Sequence, residues 1–569
     1  MKTEKQKLAL RPLRLIRIET VQNNTPGVVT GEEEHESLME IIEAAVPTNE
    51  IGAQQLLRRT PASYLLNQAY GLWVFISLFL LTLIMTRKVS VTQYGVYAIA
   101  ATAYNTIAYM VAFGLEDATN TYVPRLLAEH GRASAAWFIR RLLALRIAIL
   151  VASLGIMLFG LSSVADVFAS LPLPTFADIA RGLRDPSLLQ HIIPIAFWVL
   201  GNGIASLFTA VYAAMMRMRL VFIVGSLAQL LLLALSFVTL RLGWGIDSVL
   251  WLQATCALFT ALLLAIWQAP LLLARGASYK QPLQPVLRLG LSAWFINLVS
   301  GALLKQISVI ILVAFAFSAA QIAFFTLSFQ LAHAASLLLV SGFGGIGISA
   351  LAAAFVGMNY ERLARAWQTL IKIETLLAAP VLIFCLFNAP AIALALYGTS
   401  YSVVGSLLII FLFFNILVRV LGTTIHQSAL YVLGKPRQVV LAQCAGLLAV
   451  ITLGILLVPR YGPAGALVAD GISQLVTGGL MLAVLWPALP EKYPLAFTLR
   501  LLLALAIAAL PALVWHPVNK TLLVLLGFIF LGLAIALLAL IKPLSETDMA
   551  MLHEMKPALA RYVRWFGRS

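Results

Sequence analysis

Lys305 stands in the run GALLKQISVIILVAF, far from either end of a long apolar stretch. A charge there costs about 3 kcal/mol unless it meets a partner or water, and the stem is too short to carry the ammonium out to an aqueous surface. It must face either a wet cavity, where it would hold an anion, or a partner on another helix. Arg419 lies in FFNILVRVLGTT, with His426 seven residues on. Seven residues are about two helical turns, so the two share a face. A guanidinium there can fork onto phosphate oxygens; the alternative for both residues is bonding to a neighbouring helix. Arg146 follows Arg140 and Arg141 near the end of a run. Anionic lipid headgroups account for all three, with cavity lining as the alternative for Arg146. Glu116 and Asp117 close an apolar run and either pair with nearby arginines or sit at a cavity mouth. Glu374, just after Lys372, and Asp470, inside VADGISQL, are carboxylates suited to holding a driving proton or sodium ion. For Glu374 a place at a loop boundary is the plainer alternative. His333, in LSFQLAHAASLL, titrates near neutral pH in water, but a satisfied structural histidine is its simpler reading.

These residues do not add up to an enzyme. There is no phosphate-binding loop of the Walker type, so direct nucleotide drive is not expected, and no compact loop joins paired carboxylates or Ser, His and Asp. Cys256, Cys385 and Cys444 fall in separate apolar segments, without the spacing of a metal site. No metal or cofactor is called for. The longest outside loop, 166–188, offers only a small surface element.

The elements that carry these residues must be membrane helices. The chain of 569 residues is 61% hydrophobic and 11% charged, against about 25% charged in soluble domains. The apolar runs are too long for the alternating strands of an outer-membrane barrel, and helices satisfy their own backbone groups in lipid. Approximate spans are 67–86, 93–115, 142–165, 189–214, 220–240, 248–272, 291–316, 322–350, 366–391, 402–430, 437–458, 463–487, 498–515 and 519–541, making fourteen. With the N-terminus in the cytoplasm, inside loops carry sixteen Lys and Arg and outside loops seven, as the positive-inside rule requires. Both termini are then cytoplasmic. The net charge of +16 faces anionic lipid rather than nucleic acid. Residues 1–60 hold a basic start and an acidic patch, GEEEHESLMEIIE, without the apolar core of a signal peptide. They read as a cytoplasmic tail, with 8–18 either a basic helix on the membrane surface or unstructured.

The first part of the chain recurs in the second. The segment from Val91 aligns with that from Ala319 at a shift of 228, matching Gln93 with Gln321 and Gly114 with Gly342. The segment from Arg241 resembles that from Arg460 at a shift of 219. The repeats start six spans apart, so both run the same way through the membrane, about an axis along its normal. The expected fold is therefore all-α: a six-helix bundle over 61–272, a cytoplasmic linker over 273–290, a second six-helix bundle over 291–490, two further helices over 491–541 and a basic cytoplasmic tail over 542–569. A central cleft between the bundles suits alternating access.

The run Gln93-Tyr-Gly-Val-Tyr-Ala98, with Gly114-Leu-Glu116 and Arg125-Leu-Leu-Ala-Glu129, resembles the start of bacterial polysaccharide-biosynthesis flippases. These O-antigen and exopolysaccharide translocases are part of the multidrug/oligosaccharidyl-lipid/polysaccharide exporter superfamily. Leu433-Gly-Lys-Pro-Arg437 and Val458-Pro-Arg-Tyr-Gly-Pro-Ala-Gly465 are similar to their C-terminal half, and the likeness covers roughly 60–490. The resemblance implies transfer of an undecaprenyl-diphosphate-linked glycan from the inner to the outer leaflet of the bacterial inner membrane, beside glycosyltransferase or polymerase partners. Lys305 is then the natural counter-charge to the diphosphate. A cation-coupled exporter of drugs or small amphiphiles is the other function of this superfamily. The chain departs from the family pattern at Ile322-Ala-Phe-Phe325, where relatives carry a glycine–tyrosine pair. Nothing acidic lies between Lys305 and Ala323. The first span lacks the arginines of the lipid II branch, which favours another lipid-linked glycan over a peptidoglycan precursor.

Overall fold

The computed structural model describes residues 50–170, 184, 186–274, 279–299, 304–340, 343–515, 517, 519–555 and 564–567. The first half of the chain comprises α1 (Glu50–Lys88), α2 (Val91–Met110), α3 (Leu115–Glu129), α4 (Gly131–Gly155), α5 (Leu161–Ser170), α6 (Ile192–Ala214), α7 (Met218–Arg241) and α8 (Gly245–Leu272). The second comprises α9 (Leu283–Asn297), α10 (Leu304–Ala314), α11 (Ala319–Leu337), α12 (Phe343–Phe355), α13 (Tyr360–Phe387), α14 (Ala389–Tyr397), α15 (Val403–Leu421), α16 (Thr423–Val432), α17 (Pro436–Tyr461) and α18 (Pro463–Leu485). Then follow α19 (Leu495–Ala508), α20 (Lys520–Ile541) and α21 (Glu546–Met555). Among the described residues ten helical stretches are long and apolar enough to cross a membrane, or eleven when α2 and α3, bent by 46°, count as one. Large side chains such as Phe159, 85% exposed, need lipid around them.

The count covers the described residues alone: the expected spans 291–316 and 322–350 each include residues outside them, and α19 is short. Between α2 and α3 the break is local: Phe113 (φ 48°) and Gly114 (φ 64°) adopt left-handed backbone, which only glycine takes without penalty.

The repeat register is visible in the helix starts. Ser90 and Gln93 form a capping box on α2, and Ser318 and Gln321 form the same box on α11. Each serine accepts the backbone N–H of its glutamine, while the glutamine side chain reaches back to the serine N–H. The second alignment also pairs Gly243 with Gly462, both at positive φ (81° and 55°). Neighbour relations recur too. α1 packs on α7 as α10 packs on α17, α6 on α8 as α15 on α18, and α7 on α8 as α17 on α18. Likewise α3 meets α4 and α6, and α12 and α13 meet each other and the α15–α16 span.

At the chain ends, α1 begins at Glu50, inside the stretch expected to be tail; the basic start, the acidic patch and the candidate surface helix lie outside the described residues. The C-terminal stretch contains α21, which docks on α13. Asp548 is buried there and accepts from Lys372 Nζ at 2.8 and 2.9 Å, from Thr369 Oγ1 at 3.0 Å and from Ser545 N at 2.9 Å. Burial favours its protonated form, but the hydrogen bonds and charge of Lys372, with Ser545, outweigh this and hold the carboxyl below its ordinary value of 3.8. A depressed carboxylate stabilises the folded form above its unfolded pKa, and that contribution vanishes as pH falls through the lower, folded one. Protease cleavage within α21 is therefore expected to stay slow from neutral pH to about pH 4 and to rise below it. Asp548→Asn should give rapid cleavage at neutral pH as well; equal, slow cleavage of both proteins across this range would refute the latch.

Candidate functional site

Among the described residues the two halves meet where α2 packs on α11 at the Gln93 end, and α9 lies against the kink at the other end of α2. At the Gln93 end, Arg87 on α1 reaches across to the last turn of α14, donating from Nε to the Leu396 carbonyl at 2.9 Å and from Nη2 to Ala395 at 2.6 Å. A cation at a helix C-terminus is well placed against the exposed carbonyls and the dipole. Tyr94 donates its hydroxyl to Gln330 Oε1 at 3.2 Å. Gly95 lies so close to Ala319 that a Cβ would collide with the Ala319 backbone. One apolar cluster, with Leu81, Tyr94, Ala323, Phe325 and Tyr401, spans both halves here.

At the Gly114 end the second half caps the kink of α2. Trp294 on α9 donates Nε1–H to the carbonyls of Tyr109 (2.9 Å) and Met110 (3.1 Å), and its ring stacks on Phe113 at 5.1 Å. Asn297 Nδ2 donates to Asp117 at 3.2 Å. Gly114 and Gly290 touch backbone to backbone. The carbonyls freed by the break are thus taken by side chains, as a helix end in an apolar setting requires. None of the described ion pairs joins the two halves.

The charges singled out in the sequence lie mainly inside each half. Arg146 is 2% exposed in its side chain. Its guanidinium donates to Glu116 at 2.5 Å, Ser206 at 2.9 Å, and the carbonyls of Gly203, Val111 and Ala112 at 2.9, 2.8 and 3.0 Å. It therefore ties α4 to α6 and to the other two carbonyls of the α2 kink. Arg419 donates to Glu374 at 2.5 Å, Ser336 at 2.7 Å and Thr424 at 3.3 Å. Glu374, 1% exposed, sits deep in α13 rather than at a loop boundary. His426 is buried and accepts Trp367 Nε1–H on Nδ1 at 3.1 Å. Asp470 is buried with Gln474 donating to it at 2.8 Å. His333 stacks on Phe329. Lys305 is the second residue of α10; its side chain lies outside the described residues. Among the described residues no cluster of His, Cys, Asp and Glu could hold a metal ion.

The shift of 228 that aligns the capping boxes also aligns Arg146 with Glu374. Equivalent positions thus carry opposite charges, each matched by a neighbour of opposite sign. The sequence offers a pairing of Glu116 with nearby arginines as one alternative, but not the Arg419–Glu374 pair, whose members are 45 residues apart. Sequence reading missed Arg87, Tyr94 and Trp294, which look like ordinary interfacial residues; the one signal was Gly95 in a helix start matched by the repeat.

No family model and no curated protein matches this sequence. Solved structures do match its fold. A structure titled lipid II flippase MurJ, inward closed conformation, superposes with a TM-score of 0.61 at 13% identity, over 83% of this chain and 98% of that one. An inward-facing multidrug resistance MATE family transporter of the MOP superfamily superposes with a TM-score of 0.54 at 18% identity, over 72% and 92%. The chain accordingly shares the fold of these two multi-pass membrane proteins.

Proposed function

We propose that the protein flips an undecaprenyl-diphosphate-linked glycan between membrane leaflets by alternating access. The observation that carries the reading is the junction between two like-built halves, where α2 packs on α11 with no ion pair among the described residues. Such a junction opens at one end while the other stays shut. In this reading the fourteen spans form two six-helix bundles with α19 and α20 appended, the termini are cytoplasmic, and the Gln93 end faces outward. The lipid tail remains in the bilayer while the headgroup crosses between the bundles. Lys305 supplies the positive charge for the diphosphate, while Arg146 and Arg419 brace their own halves in the closed state. Asp470 is the carboxylate best placed to couple a proton or sodium ion, since it has no cationic partner among the described ion pairs. Enzymes that build or polymerise the glycan would work beside it.

The test is headgroup translocation in reconstituted vesicles. Wild-type protein is expected to move undecaprenyl-diphosphate-linked sugar across the bilayer, and Lys305→Ala to slow this tenfold or more at unchanged protein level. Lys305→Arg should keep part of the rate, and Lys305→Glu should fall below alanine. A well-folded Lys305→Ala protein with full transport removes the lysine from the mechanism. Efflux of a cationic drug without lipid transfer would favour the exporter reading.

A further inference from the structure

Tyrosines gather where the halves close at the Gln93 end. Tyr94 and Tyr97 of the first half lie with ring centroids 6.0 Å apart, and Tyr397 and Tyr401 of the second at 6.2 Å. Thr82, Tyr97, Tyr397 and Tyr401 are the electrostatic neighbours of the Tyr94 phenol. Tyr94 bonds Gln330 across the junction, and Tyr97 accepts from Gln253 at 3.2 Å. The hydroxyls of Tyr397 and Tyr401 are different: both residues are at most 2% exposed, and neither hydroxyl has a hydrogen-bond partner among the described residues. Filling a gate needs only phenylalanine. Two partnerless phenols in an apolar setting oppose closure, since each gives up its hydrogen bond to water and gains none.

We infer that these four tyrosines, with Gln330, form a glycan-binding site that is unmasked when the Gln93 end opens. The site is aromatic and uncharged; Arg87 beside it is engaged with the carbonyls of Ala395 and Leu396. Phenol faces accept the apolar faces of sugar rings, and phenol and amide groups exchange hydrogen bonds with sugar hydroxyls. Such a surface suits a neutral sugar and offers no countercharge to a diphosphate. Gln330 is exposed, so the edge of the cluster is already reachable. The inference rests on the flippase reading and adds where the sugar is held. It also gives the closed gate a built-in tendency to open towards a hydroxyl-rich ligand.

Spin labels at Lys88→Cys and Ser400→Cys, both exposed positions on opposite halves, report the opening as a distance distribution, with the three native cysteines replaced by serine. Tyr397→Phe is expected to shrink the long-distance population severalfold, up to about tenfold, and Tyr401→Phe to do the same. Undecaprenyl-diphosphate carrying N-acetylglucosamine should enlarge that population in the parent protein beyond what undecaprenyl-diphosphate alone achieves. In the Tyr397→Phe/Tyr401→Phe protein the increment from the sugar should disappear, while the response to the bare diphosphate lipid persists. Unchanged populations and an unchanged sugar increment in the double variant overturn the inference and leave the flippase reading standing. A parent protein that responds to neither lipid, and transports neither, removes both.

Discussion

Gly95→Ala should abolish transport while leaving the protein folded and inserted. The added Cβ would occupy the space of the Ala319 carbonyl. That neighbour is backbone on a capped helix start, so it cannot swing aside as a side chain would. Overpacking of this kind costs about 3 kcal/mol, and each 1.4 kcal/mol is roughly a tenfold shift in population. Closure at the Gln93 end should fall by at least about a hundredfold. Contacts within each half do not involve this position, so thermal stability should change far less than transport. The measurement pairs vesicle translocation with the distance between labels on the two halves, which should stay long. A Gly95→Ala protein that closes and transports normally would mean that α2 and α11 do not have to meet this closely.

Breaking the Arg419–Glu374 pair should have the largest effect on stability. Glu374 is fully buried and Arg419 nearly so. Removing one member of a buried pair leaves the other charge without compensation, at about 3–5 kcal/mol. Glu374→Ala is therefore expected to lower the melting temperature sharply and reduce the amount of inserted protein. Glu374→Ala with Arg419→Met should recover much of the loss, because an apolar pair of similar volume often replaces a buried ion pair without penalty. Glu116→Ala should be milder, since that carboxylate is 24% exposed and Arg146 keeps its carbonyl and serine partners. Equal melting temperatures for wild type and Glu374→Ala would show that Arg419 is solvated.

Much of this fold was legible before any coordinates. Gln93 and Gln321 marked the repeat, and the capping boxes on Ser90 and Ser318 occur at the register they implied. The serines themselves were readable as Ser-x-x-Gln signals and were passed over. Breaks at Gly114 and Gly422, both left-handed, were not legible, because glycine is common in apolar helices and hydropathy does not register a turn. The intramembrane charges read as substrate or ion contacts, with a helix partner as the alternative; Arg146 and Arg419 do take carboxylate partners, and which one depends on helix packing. Glu374 looked superficial because Lys372 is close in sequence; in space Lys372 turns to Asp548 while Glu374 faces Arg419. The junction residues were the least readable, because carbonyl caps such as those of Arg87 and Trp294 have no pattern in the chain.

The charge-swapped pairs have an electrical consequence. Voltage acts on net charge moved through the bilayer, at about 2.3 kcal/mol per elementary charge per 100 mV. Arg146 travels with Glu116, and Arg419 with Glu374, each couple belonging to one half. When the halves rock, these couples move as neutral dipoles. The membrane potential therefore has no hold on the empty protein through its most deeply buried arginines. Its grip falls on charge without such a companion: the diphosphate of the proposed substrate, or a carboxylate such as Asp470 whose described partner is an uncharged amide.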